Sequence, residues 1–591
     1  MPLQRIETVD QPRSAAAAAG QIALFERKTK RNDDFRNMLI WGDNKLALAS
    51  LLREYRGKVD LIYIDPPFDV GADFTMTIPI GDDADSIEKD QSALEMVAYR
   101  DTWGRETDSY LHMVHERLLL MRELLSESGS IFVHCDWHVG YLLRAMMNEV
   151  FGRENFRNEI VWYYYNKMHD VRKPLFPRSS DRLLFYVKNR GAPPVFNLQR
   201  EMRDKPVQQL VRKKIDGKMV NARDEDGHVM YRVAEDRVID EVWRIPMLQP
   251  ADKTQYLAYA TQKPEALLEK VILAASDEGA LVADFFCGSG TTGGVAERLG
   301  RRWIMADLGR FAIHTSRKRL IELQRQLHAE GKPYRAFDVF NLGRYERQWW
   351  QKERLLGADE EHRRVVLEFY RAEPLRNSPS PLLHGRKGPA FCHVDSIDSI
   401  LTRDEVRAAA AAAKQAGAKE LACLAWDFEM NLRMECNAVE KELGIKIKII
   451  QIPREIMEKN RKDPPPFLEV ATLEAKPVYR TEAGKRVVDI KLTAFIPSLA
   501  EVPSKELEAL QERAVKSGFD FIDFWAVDFD YQDGGPFNHH WQDYRTRKDR
   551  SLKTVSEQGF SYPKKGTYAA CVKVVDIFGC DTSVTVEVDY A

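Results

Sequence analysis

From about residue 36, short apolar β-branched runs alternate with apolar residues at helical spacing, the rhythm of an α/β sheet. Met38-Leu39-Ile40-Trp41 reads as a buried strand ending at Gly42-Asp43-Asn44, and Ala47, Leu48, Leu51 and Leu52 share one face of the helix that follows. Residues 59–64 form the next strand, stopped by Pro66 and Pro67, which donate nothing to a ladder and fix φ. Polar residues 71–88 predict a loop over that strand's end. Asp108-Ser109 can cap a helix through Leu111, Val114, Leu118 and Leu125. Strand 130–134 and a helix from about residue 139 to 152 complete this half. The pattern resumes with helix 264–275, strand 281–286 and the loop Cys287-Gly288-Ser289-Gly290. A helix capped by Thr291 or Thr292 and a strand ending at Asp307 follow.

Residues 153–253 interrupt this rhythm. They hold 21 Lys and Arg against 15 Asp and Glu, interleaved with aromatics, in a chain whose formal charge is −2. Arg172, Lys173, Arg178, Arg182, Arg212, Lys213 and Lys214 lie among them, and such an insert between two α/β halves suits a phosphate-tracking face. A solvated surface is the ordinary alternative. Past residue 331 a second assembly begins: a charged, Trp-containing helical stretch, a strand–helix repeat over 389–453, then period-two strands at 487–496 and 568–590. The expected division is a tail (1–35), a main α/β domain (36–330) with the insert, a helical linker (331–385), an α/β accessory domain (386–500) and a β-rich module (501–591).

Length allows several cores, and the overall charge gives no global basic signature. Seven scattered cysteines without zinc-finger spacing suit a reducing cytoplasm. No apolar run reaches membrane-spanning length, and alanine-rich 14–20 reads as a frayed leader.

Two stretches carry chemistry. Asp65-Pro66-Pro67-Phe68 holds an acid and an aromatic on a stiff turn at a strand's C-terminal end, where open α/β sheets bind ligands. An Asp-Pro turn of no function reads the same way by itself. The glycine loop at 288–290 lacks the GK[ST] of a phosphate loop and the full GxGxxG of a dinucleotide fold. Followed by Asp307 at the next strand's end, it suits an adenosine ligand whose ribose hydroxyls the acid accepts, and Asp284 suits a cationic sulfonium. His134-Cys135-Asp136-Trp137-His138 invites a zinc reading, but its spacing from a strand end is poor, and a packed loop is the default. Asn538-His539-His540-Trp541 with Asp528 and Asp530 reads as aromatic packing around a turn.

These motifs stand in the order Gly42-Asp43-Asn44, Asp65 to Phe68 with Gly71-Ala72-Asp73-Phe74, Arg117-Leu118, 129–136, 151–162, Thr261-Gln262-Lys263-Pro264 and 284–292. In that order the chain resembles DNA amino-methyltransferases of the circularly permuted β class, above all the modification subunits of type III restriction–modification systems. The resemblance implies a Rossmann-like S-adenosylmethionine-dependent fold with 153–253 as target-recognition insert. It further implies N6 methylation of a flipped-out adenine in double-stranded DNA, within a restriction–modification or phage-defence system. By family habit Asp65 favours adenine over cytosine; cytosine-N4 or RNA methylation and a non-catalytic recognition subunit are the alternatives. Asp65 and the Pro66 carbonyl would accept the target amine, beside Pro67, and Phe68 would stack on the base. Asp43 would contact the cofactor's adenine and Asp307 its ribose. Phe286, Gly288, Gly290 and Thr291 would line its pocket, with Thr261 and Lys263 near the methionine end and Asp284 as a further cofactor contact. A helicase–nuclease restriction subunit and a homodimeric or multi-subunit assembly are the implied partners, with no membrane and no metal.

Overall fold

The computed structural model describes residues 2–9, 35–67, 75–81, 86–90, 106–168, 176–215, 217–252, 254–257, 259, 261–354, 359–429, 432–457, 467–482, 484–498 and 517–590. Phe68, Arg172, Lys173, residues 71–74 and the alanine-rich 14–20 lie outside them.

Apolar strands of the kind read from the sequence assemble one sheet of eleven. Its order runs Val242–Arg244, Phe156–Tyr163, Ser180–Val187, Leu125–Cys135, Val59–Ile64, Leu281–Asp284, Arg302–Asp307, Asn37–Trp41, Phe337–Asn341, Gln4–Val9 and Phe537–Asn538. The six central strands, from Leu125–Cys135 to Phe337–Asn341, are parallel. Side chains alternate across the pleat into two cores. Ile62, Ile64, Ile131 and Ala283 meet helices Asn44–Tyr55, Glu106–Leu124 and Gly140–Phe151. Leu61, Tyr63, Phe132 and Val282 meet helices Glu265–Ala275, Thr291–Arg298 and Arg310–Ala329. The Val59–Ile64 and Leu281–Asp284 strands are immediate neighbours, so motifs more than 200 residues apart in sequence open on the same sheet edge.

Several expectations need correction. Gln4–Val9 is no tail: it pairs antiparallel with Phe337–Asn341 and parallel with Phe537–Asn538. Its Glu7 is buried among Arg317, Lys573 and His539, so a strand that reads as polar is held by charge rather than by an apolar face. The main sheet therefore runs past residue 330 to Asn341. Residues 71–88 include paired strand Thr75–Pro79 and part of its partner, Ser86–Asp90, rather than loop alone. Asp108 and Ser109 lie inside helix Glu106–Leu124, not at its cap.

The strand–helix repeat at 389–453 forms a sheet of six with Ala390–Val394, Glu420–Ala425 and Lys446–Gln451 parallel at its centre. Helix Arg403–Gln415 starts at a capping box in which Thr402 and Glu405 serve each other's backbone N–H. The β-rich module begins near residue 471, not 501. The ribbon Thr472–Glu482 and Lys485–Ile496 shares its core with the sheet Trp541–Tyr544, Ile522–Asp528, Gly566–Asp576 and Asp581–Tyr590, through Leu473, Val488, Ile490, Trp525 and Val572. His539 lies in the interior between Glu7 and Gln542, at 3.0 and 2.9 Å, and His540 Nδ1 accepts from the Phe529 N–H at 2.9 Å. No helix among the described residues is long and apolar enough to cross a membrane.

Candidate active site

Strand Leu281–Asp284 leads into a loop that only glycine can make. Gly288 and Gly290 have φ of +49° and +71°. A Cβ on Gly290 would fall 2.6 Å from Ser316 Oγ, and one on Gly288 would press on the Tyr259 ring. Gly290, not a threonine, is the cap position of helix Thr291–Arg298, which corrects the expected Thr291 or Thr292 cap. The threonines have other partners: the Thr292 hydroxyl donates to Asp284 Oδ2 at 2.5 Å, and Thr291 Oγ1 accepts from Arg319 at 2.6 Å.

Asp307, at the end of strand Arg302–Asp307, accepts the Gly288 N–H through Oδ2 at 2.8 Å and the Gly309 N–H through Oδ1 at 2.9 Å. Each carboxylate oxygen has a second lone pair. Burial pushes the Asp284 carboxyl up to about 7, and the carboxylates of Asp65 and Asp307 add to that against hydrogen bonds from Thr292 and the Phe286 N–H. Cys287 Sγ lies beneath the same loop, where burial raises its thiol well above the ordinary range.

One cavity gathers the two motifs. It is lined by Asp65, Pro66 and Pro67 on one side and by Asp284, Phe286, Gly288, Thr291 and Asp307 on the other, with Tyr259, Thr261 and Lys263 along its wall. Lys263 forms an ion pair with Asp65 Oδ2 and donates to the Thr261 carbonyl at 3.2 Å. Asp65 Oδ1 is buried without a hydrogen-bond partner among the described residues. Such an acceptor costs about 1–3 kcal/mol if left unmet.

Gly290 and Asp43 do not line this cavity. Asp43 caps helix Asn44–Tyr55, accepting the Lys45 N–H at 2.7 Å and the Leu46 N–H at 3.4 Å, and it pairs with Arg117 at 3.3 Å. Burial opposes its charge, but Arg117 and Arg454 outweigh that and hold the carboxyl below the usual range. Asn44 donates to the Phe285 carbonyl at 2.8 Å and so ties the Gly42-Asp43-Asn44 turn to the glycine-loop strand.

Beneath Asp65 lies an arrangement that the sequence reading missed. His134 is wholly buried, with Nδ1 3.0 Å from Tyr63 Oη and 3.6 Å from Asp65 Oδ1, and Nε2 3.5 Å from Asp181 Oδ2. Tyr164 donates to Asp181 Oδ1 at 3.3 Å. Burial would raise Asp181, but His134, Lys263 and Tyr164 more than offset it and hold the carboxyl low. The ring lies between the Tyr63 hydroxyl and the Asp181 carboxylate. The 134–138 segment is thus a packed support of the Asp65 turn. Alternation along 130–134 placed His134 on a strand, but nothing local pointed to Asp181, 47 residues later. Among the described residues, the one group of three close metal-type side chains is Asp224, Asp226 and His228, on an exposed turn away from this cavity.

Of the basic residues singled out, Arg178 lies over the Trp137 ring at 3.6 Å, and Arg182 pairs with Glu159 at 3.2 Å. Both stand at the start of strand Ser180–Val187, beside Asp181. Arg212, Lys213 and Lys214 lie on an exposed hairpin, Arg212–Ile215 with Lys218–Asn221, which is not bonded to the main sheet.

Residues 59–318, the stretch holding both motifs, match the DNA methylase family, and the chain carries a DNA methylase domain. It is similar to the type II methyltransferase M.EcaI of Enterobacter cloacae, 27% identical over 48% of this chain and 69% of that protein. The StyLTI Mod subunit, a type III restriction–modification enzyme of Salmonella typhimurium, is 25% identical over 44% of this chain and 50% of its own length. Among solved structures, an M1.HpyAVI–SAM complex aligns over 48% of this chain and 98% of its own, at 18% identity and a TM-score of 0.29. PvuII DNA methyltransferase (cytosine-N4-specific) aligns over 52% and 96%, at 17% identity and a TM-score of 0.31.

Proposed function

We propose that the chain transfers a methyl group from S-adenosylmethionine to the N6 amine of a flipped-out adenine in double-stranded DNA. The observation that carries this reading is the shared cavity: Asp65, with one unmet buried oxygen, faces the glycine loop and Asp307 across it.

The residues present fit the cofactor. Gly288 lines the cavity with bare backbone, where a Cβ would press on the Tyr259 ring, and Asp307 on the same wall is the carboxylate suited to ribose hydroxyls. Phe286 offers an apolar wall, while Asp284 and Thr291 supply polar contacts. S-adenosylmethionine supplies an electrophilic methyl group on a sulfonium. Asp65 Oδ1 and the Pro66 carbonyl accept the hydrogens of the exocyclic amine, which aims its lone pair at the methyl carbon and stabilises positive charge growing on nitrogen. Once the methyl group had passed from sulfur to nitrogen, with the C–S bonding pair left on sulfur, the amine hydrogen held by Asp65 Oδ1 would be the proton released to solvent. Lys263 pairs with Oδ2 and so fixes the direction of the Asp65 carboxylate. Phe68 stacks on the extruded base and partly offsets its lost stacking.

Arg172, Lys173, Arg178, Arg182 and the Arg212-Lys213-Lys214 hairpin hold the DNA backbone, with 153–253 reading the site. Likeness to Mod subunits supports membership of a restriction–modification or defence system in the cytoplasm. It also supports a helicase–nuclease partner and a homodimeric or multi-subunit working form.

The test is isotope-labelled S-adenosylmethionine with genomic DNA, followed by digestion and mass spectrometry of the nucleosides. Label on N6-methyladenine is the expected result. Label on N4-methylcytosine overturns the adenine assignment, and cofactor and DNA binding without label makes the chain a recognition subunit.

A further inference from the structure

The cavity wall that carries Lys263 does not hold itself in place. Residues 250–252, 254–257, 259 and 261–263 form a strap between the insert and helix Glu265–Ala275. Its own bonds brace it internally: Asp252 accepts the Thr254 and Gln255 N–H groups at 2.8 and 3.2 Å. Gln262 donates to the Gln255 carbonyl at 2.6 Å and accepts the Leu257 N–H at 2.8 Å. Besides the Lys263–Asp65 pair, it is anchored by the β-rich module, almost 300 residues later. Arg547 donates to three carbonyls of the strap, Pro250 at 2.7 Å, Asp252 at 3.1 Å and Tyr256 at 3.4 Å, and its guanidinium lies 5.2 Å from the Tyr256 ring centroid. A planar fork of donors can meet converging carbonyls in this way, whereas an ammonium is a point charge.

The same module holds the other flank of the site. Ile80, just past strand Thr75–Pro79 and thirteen residues after Pro67, is buried in the module's core with Phe521, Ile522 and Trp525. Gly81 donates its N–H to the Asp520 carbonyl at 3.0 Å and accepts from Arg550 Nε at 3.1 Å. A third contact reaches the glycine loop: Phe311 packs on the module at Gly579 and stacks on Tyr259, with 6.2 Å between centroids and 6° between planes, and Tyr259 covers Gly288. The segments that leave Pro67 and arrive at Thr261 are thus both fastened to one distant part of the chain.

We infer that the β-rich module at 471–590 sets the geometry of the methyl-transfer cavity, with Arg547 as a positioning residue for Tyr259 and Lys263. This role rests on the methyltransferase reading above. Arg547 touches neither reactant; it acts by fixing the strap, whose displacement moves the Lys263 partner of Asp65 and the cover on Gly288.

The full-length chain and its variants Arg547→Ala, Arg547→Lys and Lys548→Ala are compared in three measurements: amide hydrogen exchange, calorimetric affinity for S-adenosylmethionine, and steady-state kinetics with DNA. Arg547→Ala is expected to speed exchange in 254–263 and to weaken cofactor affinity about tenfold, the scale of losing charged hydrogen bonds, with an unchanged melting temperature and a larger effect on cofactor KM than on kcat. Arg547→Lys recovers part of the loss, and Lys548→Ala behaves as wild type. Unmoved strap exchange and affinity in an active protein overturn the inference, as does a uniform rise in exchange with a lowered melting temperature. A wild-type chain that neither binds S-adenosylmethionine nor labels DNA sinks the methyltransferase reading first, and the positioning role with it.

Discussion

Asp284 Oδ2 accepts the Thr292 hydroxyl at 2.5 Å across the mouth of the glycine loop, in a site where burial lifts its carboxyl to about 7. The unfolded carboxyl titrates near 3.9. Between those values the folded chain binds the extra proton, so this group's contribution to stability falls as pH rises toward 7. A cationic ligand favours the ionised form, so S-adenosylmethionine affinity should climb through about pH 7. Calorimetry from pH 6 to 8, in buffers of different ionisation enthalpy, should show proton release on binding, and Asp284→Asn should flatten the dependence.

The left-handed backbone of Gly290, against Ser316, makes a different demand. Gly290→Ala strains φ at a cost of about 1–2 kcal/mol and drives a methyl group into Ser316 Oγ. Cofactor binding should be lost, with a fall in melting temperature. Adding Ser316→Gly should return only the steric part, so the double variant is expected to regain stability before affinity.

His134 fills the space between Tyr63 and Asp181. His134→Ala leaves the buried Tyr63 hydroxyl without its partner, for about 1–3 kcal/mol, and takes one of two neighbours from the half-buried Asp181, which keeps Tyr164. Thermal unfolding should report that loss, and kcat should fall more than cofactor affinity, because Asp65 loses its support while the glycine loop keeps its own.

Glu7 meets Arg317 at 2.8 Å, Lys573 at 2.7 Å and His539 at 3.0 Å, all buried. Burial opposes its charge, but Arg317, Lys573 and His539 together hold its carboxyl well below the usual range. Its contribution is therefore full above the unfolded value of about 4.3 and disappears as pH falls below it. Glu7→Gln should cost about 3–5 kcal/mol at neutral pH and make acid unfolding less steep, as read by circular dichroism against pH.

Reversing Arg212, Lys213 and Lys214 to Glu should weaken DNA binding and lower the slope of log K against log salt by about 0.9 for each phosphate no longer neutralised. An unchanged slope in fluorescence titrations moves the DNA face off this hairpin.

Local chemistry made the centre of the fold legible. Val59–Ile64 reads as a strand because it is apolar, and Pro66 and Pro67 end it wherever it packs. Gly288 and Gly290 announce a loop because other residues do not fit it. Strand–helix spacing also gave five of the six central strands and the accessory sheet at 389–453; the sixth, Phe337–Asn341, fell in the stretch read as a helical linker. What escaped was held by distant charge. Gln4–Val9 is polar by composition, and only Arg317, Lys573 and His539 make a buried strand of it. Asp181 looked like one charge of a basic insert until the antiparallel pairing of Ser180–Val187 with Leu125–Cys135 set it beside His134. Arg547 had no local signal, because its partners are backbone carbonyls that any sequence supplies.

The central claim is that Asp65 accepts the target amine while a separate set of residues holds the cofactor. Asp65→Ala should lower N6-methyladenine formation by about 10²–10³-fold, the scale of removing one preorganised partner of developing charge. Calorimetric affinity for S-adenosylmethionine, measured in the same preparation, should remain within about threefold of wild type, below the tenfold that 1.4 kcal/mol brings. Undiminished methyl transfer by Asp65→Ala contradicts the account.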